Sequence, residues 1–151
     1  MRRLEHVMIG AGFGCALAHV TGGSLAETAV LAGIGAALPD LDLHWSSRQR
    51  LMPGSNARLL EHRGPTHSFL AILLVYAGFA LGGLPGVGLA LATGYTSHLL
   101  ADALSPLGEP FLWPLAKRRY RVMPRGLRLR SGTRLVEFPI AALVLAAGWF
   151  A

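Results

Sequence analysis

The chain has 151 residues, of which 52% are hydrophobic and only 15% are charged. Soluble domains carry about 25% charged residues, so this composition excludes an ordinary soluble domain and favours a membrane protein. The 14 lysines and arginines outnumber the 8 acidic residues, which gives a formal net charge of +6. The length predicts a single domain over residues 1–151.

Five apolar segments follow one another, at about 7–20, 25–39, 67–84, 86–104 and 135–150. Each is long enough for a helix, and none alternates polar and apolar residues as a half-buried strand does. We therefore predict an all-α fold, an integral membrane bundle of about five transmembrane helices. The first two segments are short for a hydrocarbon core of about 30 Å and would suit a thinned bilayer. Small residues spaced four apart in these two segments predict close helix packing: Gly10 with Gly14, and Ala29 with Gly33.

The basic residues lie in three places: the N-terminus and the connections 43–66 and 105–134. The two glycine-rich connections near 21–25 and 81–86 contain none. If all five segments cross a bilayer, the three basic places share one side, which the positive-inside rule makes cytoplasmic. We therefore expect a multi-pass protein of the inner (plasma) membrane. The basic residues would contact anionic headgroups or a phosphate-containing substrate, and no nucleic-acid partner is expected.

Histidines and carboxylates fall at the predicted cytoplasmic ends of all five segments, which favours one shared metal site. His98 and Asp102 are four residues apart, so a helix would direct both side chains the same way. Imidazole and carboxylate ligands favour Zn²⁺, with Mn²⁺ or Fe²⁺ as alternatives. The ligands are too many for one tetrahedral shell, which suggests one or two ions. The predicted ligands are His6, Asp40, Asp42, His62, His67, His98, Asp102 and Glu137.

Each of these signals has a simpler explanation when it is taken alone. A histidine four residues before an aspartate is also typical of a capping or ion-paired helix end. The string "LPDLDL" at 38–43 also suits the last turn of a helix, and His6 alone could be a solvated side chain. It is the shared depth of all these groups that favours a site.

Three strings resemble a known family, the YdjM-type inner-membrane metal-dependent hydrolases. They are "LPDLD", "EHRGPTHS" and "GYTSHLLADALSPLGEPFLWP", with His6 upstream and Glu137 downstream. That family is in turn similar to the zinc-dependent phospholipase C and nuclease group, all-helical enzymes that cleave phosphoesters. The resemblance implies that Asp40, His67, His98 and Asp102 bind one ion. The chain lacks a histidine four residues before Glu137, so one or two ions are favoured over three.

The function expected from these residues is hydrolysis of a phosphoester, with a lipid-type substrate, by metal-activated water. Asp42 or Asp40 would accept a proton, and Arg63 would stabilise charge on the phosphate oxygens. The arginine-rich stretch 117–134 would attract an anionic headgroup. Two other readings stay open here. One is a metal transporter or sensor, and the other is a non-catalytic membrane protein with a structural metal.

Overall fold

The computed structural model describes residues 3–41, 65–104, 108–116, 118–122 and 134–151. Within these ranges there are five α-helices, one 3-10 turn and no strand, with a single isolated bridge between Glu109 and Tyr120. The prediction of an all-helical fold with five helices is confirmed. The helices are α1 (Arg3–Thr21), α2 (Leu25–Ala37), α3 (Phe69–Leu81), α4 (Pro85–Ala103) and α5 (Arg134–Phe150), and the 3-10 turn (Pro65–His67) precedes α3.

Two tight turns form helical hairpins, as the glycine-rich connections predict. Gly22 lies between α1 and α2 with φ 69°, and Gly83 lies between α3 and α4 with φ 81°. This left-handed conformation strains residues that have a Cβ, so glycine suits both turns. Ser24 then caps α2, since its hydroxyl accepts a bond of 3.4 Å from the amide of Glu27. Residues of both turns line one cavity, so the turns lie at the same end of the bundle, opposite the end where α1 begins.

The middle of the bundle is formed by α1 and α4. Helix α1 packs against α2, α4 and α5, and α4 packs against α1, α2 and α3. Helix α3 rests on α4 and contains no fully buried residue, whereas twelve residues of α4 are buried. The C-terminal half of α4 is thus enclosed by other helices, which places its polar residues inside the protein.

Very small residues let the helices approach backbone to backbone. A Cβ at Gly94 of α4 would overlap the carbonyl of Ala32 on α2, and a Cβ at Gly148 of α5 would overlap the carbonyl of Gly12 on α1. A Cβ at Gly10 would lie 2.5 Å from the Cβ of Ala36. Gly10 and Gly14 therefore pack against α2 as predicted. On α2 these two glycines meet Ala32 and Ala36, while Gly33 has more room.

Many large apolar side chains lie on the outside of the bundle. On α3 they include Phe69, Leu73, Leu74 and Leu81, which is 90% exposed. On α5 they include Leu143, Trp149 and Phe150. Among the described helices, none combines the length and the apolar character that crossing a membrane would require.

Several helix boundaries differ by a few residues from the predicted ones. Helix α3 begins at Phe69, two residues after the predicted start, because Ser68 acts as its N-cap and accepts a bond of 3.3 Å from Ala71. Helix α5 begins at Arg134, within one residue of the predicted start, and Pro139 lies inside the helix. Proline has no amide hydrogen, and the carbonyl four residues earlier therefore loses its helical partner.

Candidate metal centre

Five predicted ligands meet at the end of the bundle opposite the two hairpin turns. His6 lies in the first turns of α1, Asp40 follows α2, and His67 ends the 3-10 turn before α3. His98 and Asp102 lie on the last two turns of α4. All five side chains are buried, and those of His67 and His98 are fully inaccessible. Residues far apart in the sequence thus form one buried polar cluster.

His98 is held in one orientation by α2. Its Nδ1 lies 2.7 Å from the carbonyl oxygen of Ala36. A carbonyl can only accept, so Nδ1 carries the hydrogen and donates it. In the neutral ring the other nitrogen, Nε2, then presents its lone pair. The Ala36 carbonyl therefore selects the tautomer whose Nε2 can bind a metal ion.

Two carboxylates lie around this Nε2 atom, at a distance that does not suit hydrogen bonding. The Nε2 of His98 is 3.9 Å from Asp40 Oδ1 and 3.9 Å from Asp102 Oδ2. Hydrogen bonds are shorter, and this buried Nε2 makes none within the described part of the chain. Two ligand atoms each about 2.1 Å from a shared ion are at most about 4.2 Å apart. The spacing therefore fits a cation better than a direct contact.

His6 approaches the same aspartate from α1. Its Nε2 lies 3.3 Å from Asp102 Oδ1, and its ring stacks on that of His98 with centroids 3.9 Å apart. Asp102 therefore faces His6 with one carboxylate oxygen and His98 with the other. Two positively charged rings would repel at this stacking distance, so the arrangement favours neutral imidazole in at least one of them.

His67 completes the cluster from the 3-10 turn. Its ring is edge-on to His98 with centroids 5.5 Å apart. The Nδ1 of His67 is 3.0 Å from the hydroxyl of Thr66, which leaves Nε2 as the atom that could bind an ion.

The potential ligand atoms form two overlapping groups. One contains His6, His98 and Asp102, and the other contains Asp40, His67 and His98, with the atoms of each group within 4.8 Å of one another. His98 belongs to both groups, but only its Nε2 is available. A nitrogen lone pair binds one ion, so His98 can serve only one ion at a time.

The other predicted site residues divide between buried, exposed and undescribed positions. Glu137 is fully buried in the first turn of α5 and lies in neither of the two groups. Asp42, His62 and Arg63 lie outside the described residues, as does much of the basic stretch 117–134. In the described part of that stretch, the side chains of Arg118, Arg119 and Arg121 are exposed.

Sequence reasoning missed several polar residues that the fold buries. Glu5 is only 4% exposed although it lies beside His6 near the start of the chain. Glu109 is fully buried where its backbone pairs with that of Tyr120. Tyr95 is also buried, and its hydroxyl donates a bond of 2.5 Å to the carbonyl of Thr66. The position of Tyr95 three residues before His98 is the signal that could have identified it, since the two share a helix face.

The fold and the cluster define a class of small helical-bundle proteins with a buried histidine–aspartate centre at one end. The chain belongs to the family described as YdjM inner membrane protein, whose pattern it matches over residues 1–150. The predicted resemblance to that family is thereby confirmed. The more distant similarity to zinc-dependent phospholipases stays a prediction.

Curated relatives agree with this assignment. The chain is 36% identical over 121 residues to the inner membrane protein YdjM of Escherichia coli (strain K12), and equally to that of Shigella flexneri. These alignments cover 74% of this chain and 60% of each relative, so the chain spans less than two thirds of their length. An uncharacterized protein, ORF4', of Methanothermobacter thermautotrophicus is 34% identical over 90 residues, 56% of this chain and 37% of that protein. No solved structure matches the chain.

Proposed function

We propose that this protein is a membrane-bound, metal-dependent hydrolase that cleaves a phosphoester. One observation carries the proposal: the buried Nε2 of His98 lies 3.9 Å from the carboxylates of both Asp40 and Asp102. This nitrogen makes no hydrogen bond among the described residues. Burying it beside two carboxylate oxygens is costly unless a cation lies between the three atoms.

The chemistry of the side chains fits a divalent metal ion. Neutral imidazole and carboxylate are the ligands that zinc takes in hydrolytic enzymes, and manganese and iron also accept them. Asp40, His67, His98 and Asp102 would hold the first ion. His6, which faces the second oxygen of Asp102, would either orient that carboxylate or bind a second ion.

The bound ion would supply Lewis-acid chemistry by activating a water molecule and polarising the phosphate. The protein's own residues would orient the substrate and move the proton. Asp40 is the most exposed member of the cluster, at 8%, and is therefore the best placed to exchange a proton with solvent. Asp42, two residues after Asp40, and Arg63, next to His62, are proposed as proton acceptor and phosphate contact.

We also propose that the bundle lies in the inner membrane with the cluster at the cytoplasmic side. The family's description supports this location. The exposed apolar side chains of α3 and α5 would contact lipid, whereas the exposed arginines of 118–122 follow the cluster end of α4. Basic residues are typical of the cytoplasmic side.

The position of the cluster favours an enzyme over a transporter. Secondary transporters bind their ions near the middle of the bilayer on interrupted helices. Here the candidate ligands lie at the helix ends, and α4 continues without interruption through His98 and Asp102. A substrate at the membrane surface could reach such a site.

The decisive experiment is elemental analysis of the purified protein, followed by phosphoesterase assays with and without a chelator. We expect about one or two divalent ions per chain and chelator-sensitive turnover of a phosphorylated lipid or a chromogenic phosphodiester. Turnover that survives complete metal removal would refute the mechanism. Metal uptake by proteoliposomes without hydrolysis would identify a transporter, and tightly bound metal with neither property would identify a structural ion.

A further inference from the structure

We propose that Tyr95 is a positioning residue for His67, which it aligns with the ligands of α4 through Thr66. The inference rests on the metal centre of the proposed function. It concerns a residue outside both groups of potential ligands.

His67 lies on the shortest element of the cluster. The 3-10 turn Pro65–His67 has three residues, too few to form a stable element unaided. Two hydrogen bonds anchor the residues just after it. The Ser68 hydroxyl donates a bond of 2.6 Å to the carbonyl of Pro65, and the amide of Phe69 donates a bond of 2.9 Å to the carbonyl of Phe111. Neither of these bonds connects the turn to the helix that carries His98.

Tyr95 provides that connection. Its hydroxyl donates a bond of 2.5 Å to the carbonyl oxygen of Thr66, while its ring is buried in the bundle with only 4% exposed. Tyr95, His98 and Asp102 are spaced i, i+3 and i+7 on α4 and therefore share one face. One rigid helix thus presents two ligands and holds the backbone next to a third.

Thr66 passes this restraint on to the imidazole. Its hydroxyl lies 3.0 Å from Nδ1 of His67. When the hydroxyl accepts the Nδ1 hydrogen, the lone pair of Nε2 is presented to the cluster. With its carbonyl fixed by Tyr95, the threonine therefore helps to set the position of the ring, and its hydroxyl is placed to accept the hydrogen of the tautomer that binds metal through Nε2. The Ala36 carbonyl likewise lies against Nδ1 of His98, and because it can only accept, it also fixes the tautomer there. Loss of such an outer partner typically weakens metal binding about 10- to 100-fold.

The test compares Tyr95→Phe with the wild type by Co²⁺ titration of the full chain in detergent, using binding affinity and the visible spectrum of the bound cobalt. We expect the affinity to fall about 10- to 100-fold and the cobalt spectrum to change, because the ring of Tyr95 stays packed while its hydroxyl is lost. Thr66→Val should act in the same direction, and Thr66→Ser, which keeps a hydroxyl, should restore binding.

Two control variants separate positioning from general packing. Tyr76→Phe makes the same chemical change on α3, at a partly exposed tyrosine away from the cluster. Ser97→Ala removes a buried hydroxyl of α4 that donates a hydrogen bond of 2.7 Å to the carbonyl of Gly94 within the same helix. Both should bind Co²⁺ like the wild type. Unchanged binding in Tyr95→Phe, or an equal loss in Ser97→Ala, would overturn the positioning role while the metal centre stands. A wild type that binds no Co²⁺ would overturn the proposed function and this inference with it.

Discussion

His6 and His98 stack face to face in the buried end of the bundle, with ring centroids 3.9 Å apart and planes inclined by 23°. They come from different helices, α1 and α4, and Asp102 lies beside both. The stack therefore joins two helices through ionisable rings in a place where an apolar pair would pack at lower cost. A cation in the cluster would offset that cost, and the following predictions test this interpretation.

Replacing His98 with alanine should abolish metal binding and activity. The variant loses a nitrogen that lies 3.9 Å from the carboxylates of both Asp40 and Asp102. The measurement is metal content per chain by elemental analysis. His19→Ala is the matched control, because His19 is exposed in the last turn of α1, at the other end of that helix. Full metal content in His98→Ala would refute the ligand assignment.

Asp102→Asn should weaken metal binding more than Asp40→Asn. Both changes remove one negative charge at nearly constant volume, but Asp102 faces two histidines, at 3.3 and 3.9 Å, and Asp40 faces His98 at 3.9 Å. Competition with a chromogenic chelator gives the two affinities. Equal effects, or a larger effect at Asp40, would mean that His6 takes no part in the centre.

Removal of the metal should lower the thermal stability of the wild type and leave His98→Ala unchanged. An ion that binds only the folded state contributes about 2.7 kcal/mol when its free concentration is 100 times its Kd. Unfolding in detergent, followed by circular dichroism with and without chelator, measures the difference. Re-addition of Zn²⁺ should restore the unfolding midpoint temperature. A wild type whose midpoint does not change with the chelator would argue against an ion in the cluster.

Gly94→Ala should destabilise the bundle by about 1–3 kcal/mol, as overpacking typically does. The new methyl group would overlap the backbone carbonyl of Ala32, which cannot move without shifting α2. Gly78→Ala is the control, because a Cβ there meets nothing within 4 Å. Alanine favours a helix over glycine by up to about 1 kcal/mol. The control should therefore be neutral or slightly stabilising, and equal stability of the two variants would contradict the close helix crossing.

The proposed orientation predicts opposite labelling of two introduced cysteines. Cys15 is the single cysteine of the chain, so a Cys15→Ala background has no thiol of its own. Ser24 and Arg118 are both exposed, the first at a hairpin turn and the second after α4. A membrane-impermeant maleimide should label Ser24→Cys from the periplasmic side and Arg118→Cys only in inside-out vesicles. The reverse pattern would place the cluster on the other side of the membrane.

The helices themselves could be predicted from the sequence. Five apolar segments without alternation became five helices, and the glycine-rich connections became hairpin turns. Helix formation depends on hydrogen bonds between residues four apart and on local composition, both of which can be read along the chain. The exact start at Phe69 could not be read in this way, because capping by Ser68 competes with the apolar pattern.

The candidate site was predictable in part for the same reason. Equal depth of the ligands follows from helix order, so His6, His67 and His98 could be expected at one end of a bundle. Which atoms face one another could not be predicted. The approach of Asp102 to His6, the bond from His98 to Ala36 and the bond from Tyr95 to Thr66 join segments that are remote in the chain.

The order of residues along the sequence thus determines the number of helices, their turns and the end of the bundle at which the polar groups lie. The pairing of individual nitrogen and oxygen atoms depended on how far α1, α2 and α4 could approach, which the contacts of Gly10 and Gly94 govern. Helix crossings of this kind depend on the shapes of two surfaces at once. For that reason the burial of Glu5 and the bond from Tyr95 to Thr66 became visible only in the packed structure.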